Sequence, residues 1–303
     1  GFSYLAASLR KASTLQVLQW PRTDQHDDNN PKQEQWILTI QTSFTLMHKL
    51  RRLHIQNSEL GDRGTTALAN ILHRLTYITD LDLSHTGITD VGARKLTHHL
   101  TELNKLASIK LNHNYGIGHK AGSHLLGALH TKPWVTTVEL RDTQARESRL
   151  IWLPSLPPSL TALDLSHNNW RPWRSRATAI DQANKHSELS LRIDECHSLA
   201  SLDVSYNGLG NTATPNILQF WTANSRRNAT LNISGNGLSM QGTNEAPGSH
   251  NILGVRILWL QTLQHLQLAD NYIGSAGTCI LLRMLTNRCC LETVNLAGND
   301  IQD

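Results

Sequence analysis

Between Ile78 and Ile88 the chain reads I-T-D-L-D-L-S-H-T-G-I, with apolar side chains at Ile78, Leu81, Leu83 and Ile88 and a small polar one at Thr86. Alternating apolar residues mark a short strand with one buried face, and the polar residues after it turn the chain. The pattern recurs. Leu50, Leu53, Ile55, Ser58 and Leu60 stand 28 residues before it, and Leu106, Ile109, Leu111 and Asn114 stand 28 after it. Further copies begin at Val135, Leu160, Leu199, Asn228, Leu263 and Leu291. Between the early strands, residues 62–75 and 90–103 place apolar side chains three or four apart behind Asp62 and Asp90. That spacing predicts amphipathic helices, each with an acidic residue in the first turn where the helix dipole favours it. Gly64 and Gly92 hold the same place in the two units. Asn114, Asn168, Asn207, Asn236, Asn271 and Asn299 recur where the chain leaves the strand. There a side-chain amide can satisfy backbone groups that have lost their ladder partners.

One such unit cannot bury its own apolar face, so it must stack on neighbours. A 28–29 residue period with a strand and a helix per unit resembles the ribonuclease-inhibitor-like class of leucine-rich repeats. The resemblance covers about residues 50–303 and implies an α/β solenoid. In it a parallel sheet lines the concave face of a horseshoe, with helices and loops on the convex face. We expect one domain of nine to ten repeats over 1–303, as a piece of a longer protein. The pattern departs from the class between 143 and 198. Pro154, Pro157 and Pro158 exclude a regular helix there, and the strands starting at Leu160 and Leu199 are 39 residues apart. Residues 21–35 carry no apolar residue besides two prolines and read as a solvated loop. The class hosts inhibitors, GTPase activators and scaffolds alike, so membership does not select a function.

Composition narrows the reading further. Charge is mildly basic, +4 over 303 residues, which permits an acidic partner without requiring one. There is no apolar run of membrane-spanning length and no signal-peptide pattern. The four cysteines (Cys196, Cys279, Cys289, Cys290) form no disulfide framework, in keeping with an intracellular location that leaves cytoplasm, cytoskeleton or cilium, and organelle open. No phosphate-binding, zinc-protease or nucleophile-elbow motif occurs, so we expect no enzyme, no cofactor, no metal and no small-molecule substrate.

Candidate contacts lie in two places. On the sheet's inner face, the positions between the leucines hold Arg52, Lys110 and Arg141 against Asp80, Asp82, Glu139, Asp142, Asp164, Asp203 and Asp270. This balance of −4 leaves +8 for the rest of the chain and argues against RNA in the concave groove. On the same face Asp82, Asp164 and Asp203 could meet a basic partner, and His85, His113, His167 and Tyr206 share one repeat position suited to a protein interface. The second place is the irregular stretch. Arg146, Arg149, Arg171, Arg174 and Arg176 are interleaved there with Trp152, Trp170 and Trp173, residue types that anchor protein interfaces and also stack on bases. The sequence therefore points to a non-catalytic scaffold contacting other proteins of a multi-subunit complex. The alternative is a ribonucleoprotein subunit touching RNA through the Arg/Trp insertion. A GTPase activator and a nuclease inhibitor are minor readings.

Overall fold

Each repeat contributes to the sheet little more than three residues, of which the middle one points inward. In the computed structural model, which describes residues 14–19, 39–143, 156–169, 196, 198–211, 214, 229–239, 263–285 and 290–302, this holds along both of its two compact units, Gly1–Ala145 and Arg146–Asp303.

The first unit contains the parallel strands β1 (Val17–Gln19), β2 (Arg52–His54), β3 (Asp80–Asp82), β4 (Ser108–Lys110) and β5 (Thr137–Glu139). Their register aligns Leu18, Leu53, Leu81, Ile109 and Val138 in one inward row, each of the last four at most 1% exposed. Helices α1 (Gly61–Ala69), α2 (Asp90–Leu100) and α3 (His119–His130) connect successive strands. Their buried residues, among them Leu68, Leu96 and Leu125, close the core behind the sheet. Burying one such leucine contributes roughly 1.5–3 kcal/mol, so several per repeat can outweigh the ordering of the chain. The helix expected over 62–75 is shorter than its apolar period. It ends at Ala69, and Leu72–Arg74 form a 3-10 turn. Apolar spacing of three and four suits either geometry, and the tighter turn buries Leu72 and Leu75 while bringing the chain round to β3. The chain before β2 is helical over 39–43 and then tightens at Phe44–Leu46.

The second unit contains β6 (Ala162–Asp164), β7 (Ser201–Asp203), β8 (Ala229–Asn232), β9 (Leu263–Gln267), α4 (Gly274–Leu285) and β10 (Thr293–Asn295). Leu163, Leu202, Leu231, Leu266 and Val294 form its inward row.

Polar side chains join consecutive repeats. Asn236 accepts the N–H groups of Asn207 and Leu209 at 3.1 and 3.3 Å and donates to the carbonyls of Val204 and Ile233. Asn271 and Asn114 do the same for their preceding repeats. The asparagines therefore serve the turn, as expected, and also bridge each repeat to the one before. Where the slot holds Ser58 or Thr143, the hydroxyl donates to a carbonyl of its own repeat. The loop 21–35, the first ten residues and most of the irregular stretch lie outside the described residues.

Candidate functional site

The residue that leaves each strand through the turn has a left-handed backbone after every strand from β2 to β10. In the first unit Asn57, His85, His113 and Asp142 have φ from 53° to 58°, and in the second His167, Tyr206, Gly235, Asp270 and Gly298 have φ from 54° to 68°. Steric clash with Cβ makes this region costly for most L-residues, and Gly, Asn, Asp and His tolerate it best. This gives a conformational reason for the histidine column that its sequence position alone did not reveal. The signal was present, since the column is composed of residues that tolerate this backbone. Tyr206 is the exception, a bulky aromatic held where glycine would be relaxed.

Side chains of this column touch along each unit. His85 Nδ1 lies 3.1 Å from Asn57 Oδ1, the His85 and His113 rings meet edge-on at 6.1 Å, and His113 Nδ1 lies 3.2 Å from Asp142 Oδ2. In the second unit the Tyr206 ring stacks on His167, with centroids 4.5 Å apart and planes 19° from parallel. The ring lies where a Cβ on residue 235 would be, so Gly235 makes room for it. Its hydroxyl donates to Asp270 Oδ2, and Asp270 in turn overlies Gly298. Tyr206 is still 41% exposed. One aromatic side chain thus links four repeats on the surface, its own and those of His167, Gly235 and Asp270.

The aspartates predicted as contacts are also turn formers. Asp164 Oδ1 accepts the Ser166 N–H at 2.9 Å and the Ser166 hydroxyl at 2.7 Å, and Asp203 treats Ser205 in the same way. Asp82 accepts the Ser84 N–H at 3.0 Å and is 9% exposed, so it offers a partner little surface. Asn232 and Asn295 accept the equivalent N–H groups at 3.1 Å without a charge. The turn needs the oxygen, not the negative charge.

The two units differ in electrostatics. In the first, Lys110 Nζ lies 2.6 Å from Glu139 and Arg52 lies 3.7 Å from Asp80, so these two cations of the open face are paired. Partial burial works to lower the Lys110 pKa. The hydrogen bond to Glu139 and the charges of Glu139, Asp82 and Asp80 outweigh it and hold the ammonium above its ordinary value of 10.5. In the second unit the strands and the left-handed column carry Asp164, Asp203 and Asp270 and no Lys or Arg. The seventh repeat positions Ser166, Ser205 and Ser234 are buried, so they are not part of the exposed face expected from the sequence. The structure therefore brings Asp164, His167, Asp203 and Tyr206 onto one face of the second unit, and Asp82, His85 and His113 onto the first. Arg146, Arg149, Trp152, Trp170, Arg171, Trp173, Arg174 and Arg176 lie outside the described residues. Among the described residues no group of three or more His, Cys, Asp or Glu is placed to hold a metal ion. Among them, too, no helix is long and apolar enough to cross a membrane.

Comparison with known proteins agrees with the repeat architecture. A family model described as Leucine Rich repeat matches residues 47–69, 74–96, 157–169, 195–213, 260–277 and 288–303. No curated protein matches the sequence. Among solved structures, an internalin C2 of Listeria monocytogenes is 18% identical, with 89% of this chain and 94% of that chain covered and a TM-score of 0.53. Another Listeria monocytogenes internalin is 15% identical over 100% of this chain and 89% of that one, with a TM-score of 0.45. The tropomodulin C-terminal domain of Caenorhabditis elegans is 16% identical over 63% and 92%, with a TM-score of 0.39. The internalin C2 likeness is one of fold alone. With its 28-residue strand–helix units, inward leucine rows, inter-repeat asparagine bonds and six segments that match the Leucine Rich repeat model, the chain has the architecture of a leucine-rich repeat solenoid.

Proposed function

We propose that the chain is a non-catalytic protein-binding module, and that the open face of its second unit takes a basic segment of a partner protein. The observation that carries this reading is Tyr206. A bulky residue in the left-handed region costs of order 1–3 kcal/mol, and such strain is retained where the surroundings fix it for use. Here the surroundings are His167, Gly235 and Asp270, which together hold the ring in place and half-exposed. A rigid tyrosine beside aspartates, on strands and turns that carry no Lys or Arg among the described residues, suits an arginine or lysine, which can stack on the ring and pair with a carboxylate. Leucine-rich repeats serve generally as interaction surfaces rather than as catalysts. The reading extends to membership of a larger intracellular assembly.

Photo-crosslinking from position 206 in the native complex tests it. Crosslinks to Lys/Arg-rich peptides of another protein are expected there and not from Arg94 on α2. Equal or absent crosslinking at 206 would refute it. The Arg/Trp stretch from Arg146 to Arg176 is proposed as a second contact, to protein or RNA, on its composition. Reversing Arg171, Arg174 and Arg176 to Glu tests that contact separately.

A further inference from the structure

The sheet's open face is acidic overall, so the basic excess of the chain must reside elsewhere, and part of it gathers on one rim of the first unit. Four repeats enter their strands through the same turn. Leu50, Ile78, Leu106 and Val135 donate their N–H groups to the carbonyls of Met47, Leu75, Leu103 and Lys132 at 3.0 to 3.4 Å. Inside those turns, one residue before each apolar position, stand Lys49, Tyr77, Lys105 and Trp134. The strand register aligns them in a row, because each lies three residues before the paired positions Arg52, Asp80, Ser108 and Thr137. Neighbouring strands are about 4.8 Å apart, and one adjacent pair of the row meets. The Lys105 ammonium sits 3.9 Å from the centre of the Tyr77 ring.

Cation and aromatic alternate along this row, and all four side chains are exposed, Tyr77 by 45% and Trp134 by 65%. Arg51 and Arg74, on the same rim, are exposed as well. Lys132 is not available, since its Nζ turns inward to the Thr101 carbonyl and to Asn104 Oδ1. The carboxylate on this rim, Glu102, lies 3.4 Å from His99 Nδ1. The other ends of the strands are mixed in charge, with Glu59, Asp62, Asp90 and Asp142 beside Arg63 and Arg141. The core needs neither aromatic here, because the leucines beside them already fill it.

We propose that this rim binds single-stranded nucleic acid. Lys49, Arg51, Arg74 and Lys105 take phosphates, Trp134 stacks on a base, and the Tyr77 ring fixes the Lys105 ammonium in the row. Aromatic faces interleaved with cations along a line are how sequence-independent single-strand binders hold their ligand. An acidic peptide would use the same cations. Protein anchors, however, work from well-packed, desolvated pockets, and Trp134 is mostly exposed. A base needs only a flat face. This site is on the first unit and does not depend on the protein-binding reading of the second.

The test uses the full chain with a fluorescent oligouridylate and a polyglutamate peptide as probes, followed by anisotropy across a salt series. Oligouridylate should bind, with log affinity falling against log salt at a slope of about −3 for four phosphate contacts. Trp134→Ala should weaken binding by roughly tenfold or more, the loss expected for one stacked base, with unchanged thermal unfolding. The Lys49→Glu/Arg51→Glu/Arg74→Glu/Lys105→Glu variant should abolish it. Reversal of Arg171, Arg174 and Arg176 should leave rim binding intact. No binding at low salt would overturn the proposal. So would binding that survives the rim variants, or polyglutamate binding as tightly with no effect of Trp134→Ala; that last result would mark a docking surface for acidic protein instead.

Discussion

Asp62 caps a helix to which it does not belong: its Oδ1 accepts the backbone N–H of Gly92, in α2 of the next repeat, at 2.9 Å. The same carboxylate accepts the Thr89 N–H at 2.8 Å and the Thr89 hydroxyl at 2.6 Å. A Cβ on Gly92 would lie 2.6 Å from that Oδ1, so the glycine is there to admit the carboxylate. Gly92→Ala should therefore destabilise the protein by about 1–3 kcal/mol through overpacking. Asp62→Ala should cost about 1–2 kcal/mol through the helix N–H groups it leaves unsatisfied. In a double-mutant cycle by urea denaturation, Gly92→Ala should cost clearly less once Asp62 is already alanine.

The asparagine bridges predict a second graded effect. Asn236→Thr keeps a hydroxyl able to bond its own repeat, as Thr143 does, but loses the acceptor for Asn207 and Leu209. A loss of about 2–3 kcal/mol is expected in chemical denaturation, from two buried N–H groups left without partners. Equal stability would mean that the bridges contribute nothing net.

How much of this could be read beforehand depends on the distance over which each signal acts. The leucine rows and the asparagine turns were legible because each repeats in register at Ile78, Leu81, Leu83 and their copies. Asp62 was legible as a first-turn acid but not as a bridge, because its partners are 27 and 30 residues away. The column His85, His113, His167 and Tyr206 was visible as a column. Its left-handed backbone was not legible, because the same residue types suit an exposed contact equally well. The stacking of Tyr206 between His167 and Asp270 across Gly235 needs coordinates, since those partners sit 39, 64 and 29 residues away.

Lys110 and Glu139 make a pH-dependent contribution. The folded-state pKa of Lys110 is raised, so the stabilisation is fully present below its ordinary 10.5 and is lost as pH rises through the higher folded value. Wild type should be more stable than Glu139→Gln at neutral pH, and the two should converge on alkaline titration when urea midpoints are compared. A gap that widens with alkalinity would contradict the pairing.

Tyr206→Asn separates folding from recognition. Asparagine tolerates the left-handed backbone, so strain relief should offset the lost stacking and leave stability within about 1 kcal/mol of wild type. Tyr206→Val, β-branched at the same φ, should be the more destabilised of the two in thermal unfolding.

The most direct measurement of the central claim is crosslink yield from position 206 in the native complex, with and without Asp164→Asn and Asp270→Asn. At 164 asparagine preserves the turn oxygen, as Asn232 and Asn295 demonstrate at the equivalent position, and at 270 it keeps an acceptor for the Tyr206 hydroxyl on a left-handed backbone that Asn57 also adopts, so each change removes only charge. If the second unit's open face receives a basic partner segment, the yield falls several-fold in the variant while its thermal midpoint stays put. An unchanged yield would contradict the account.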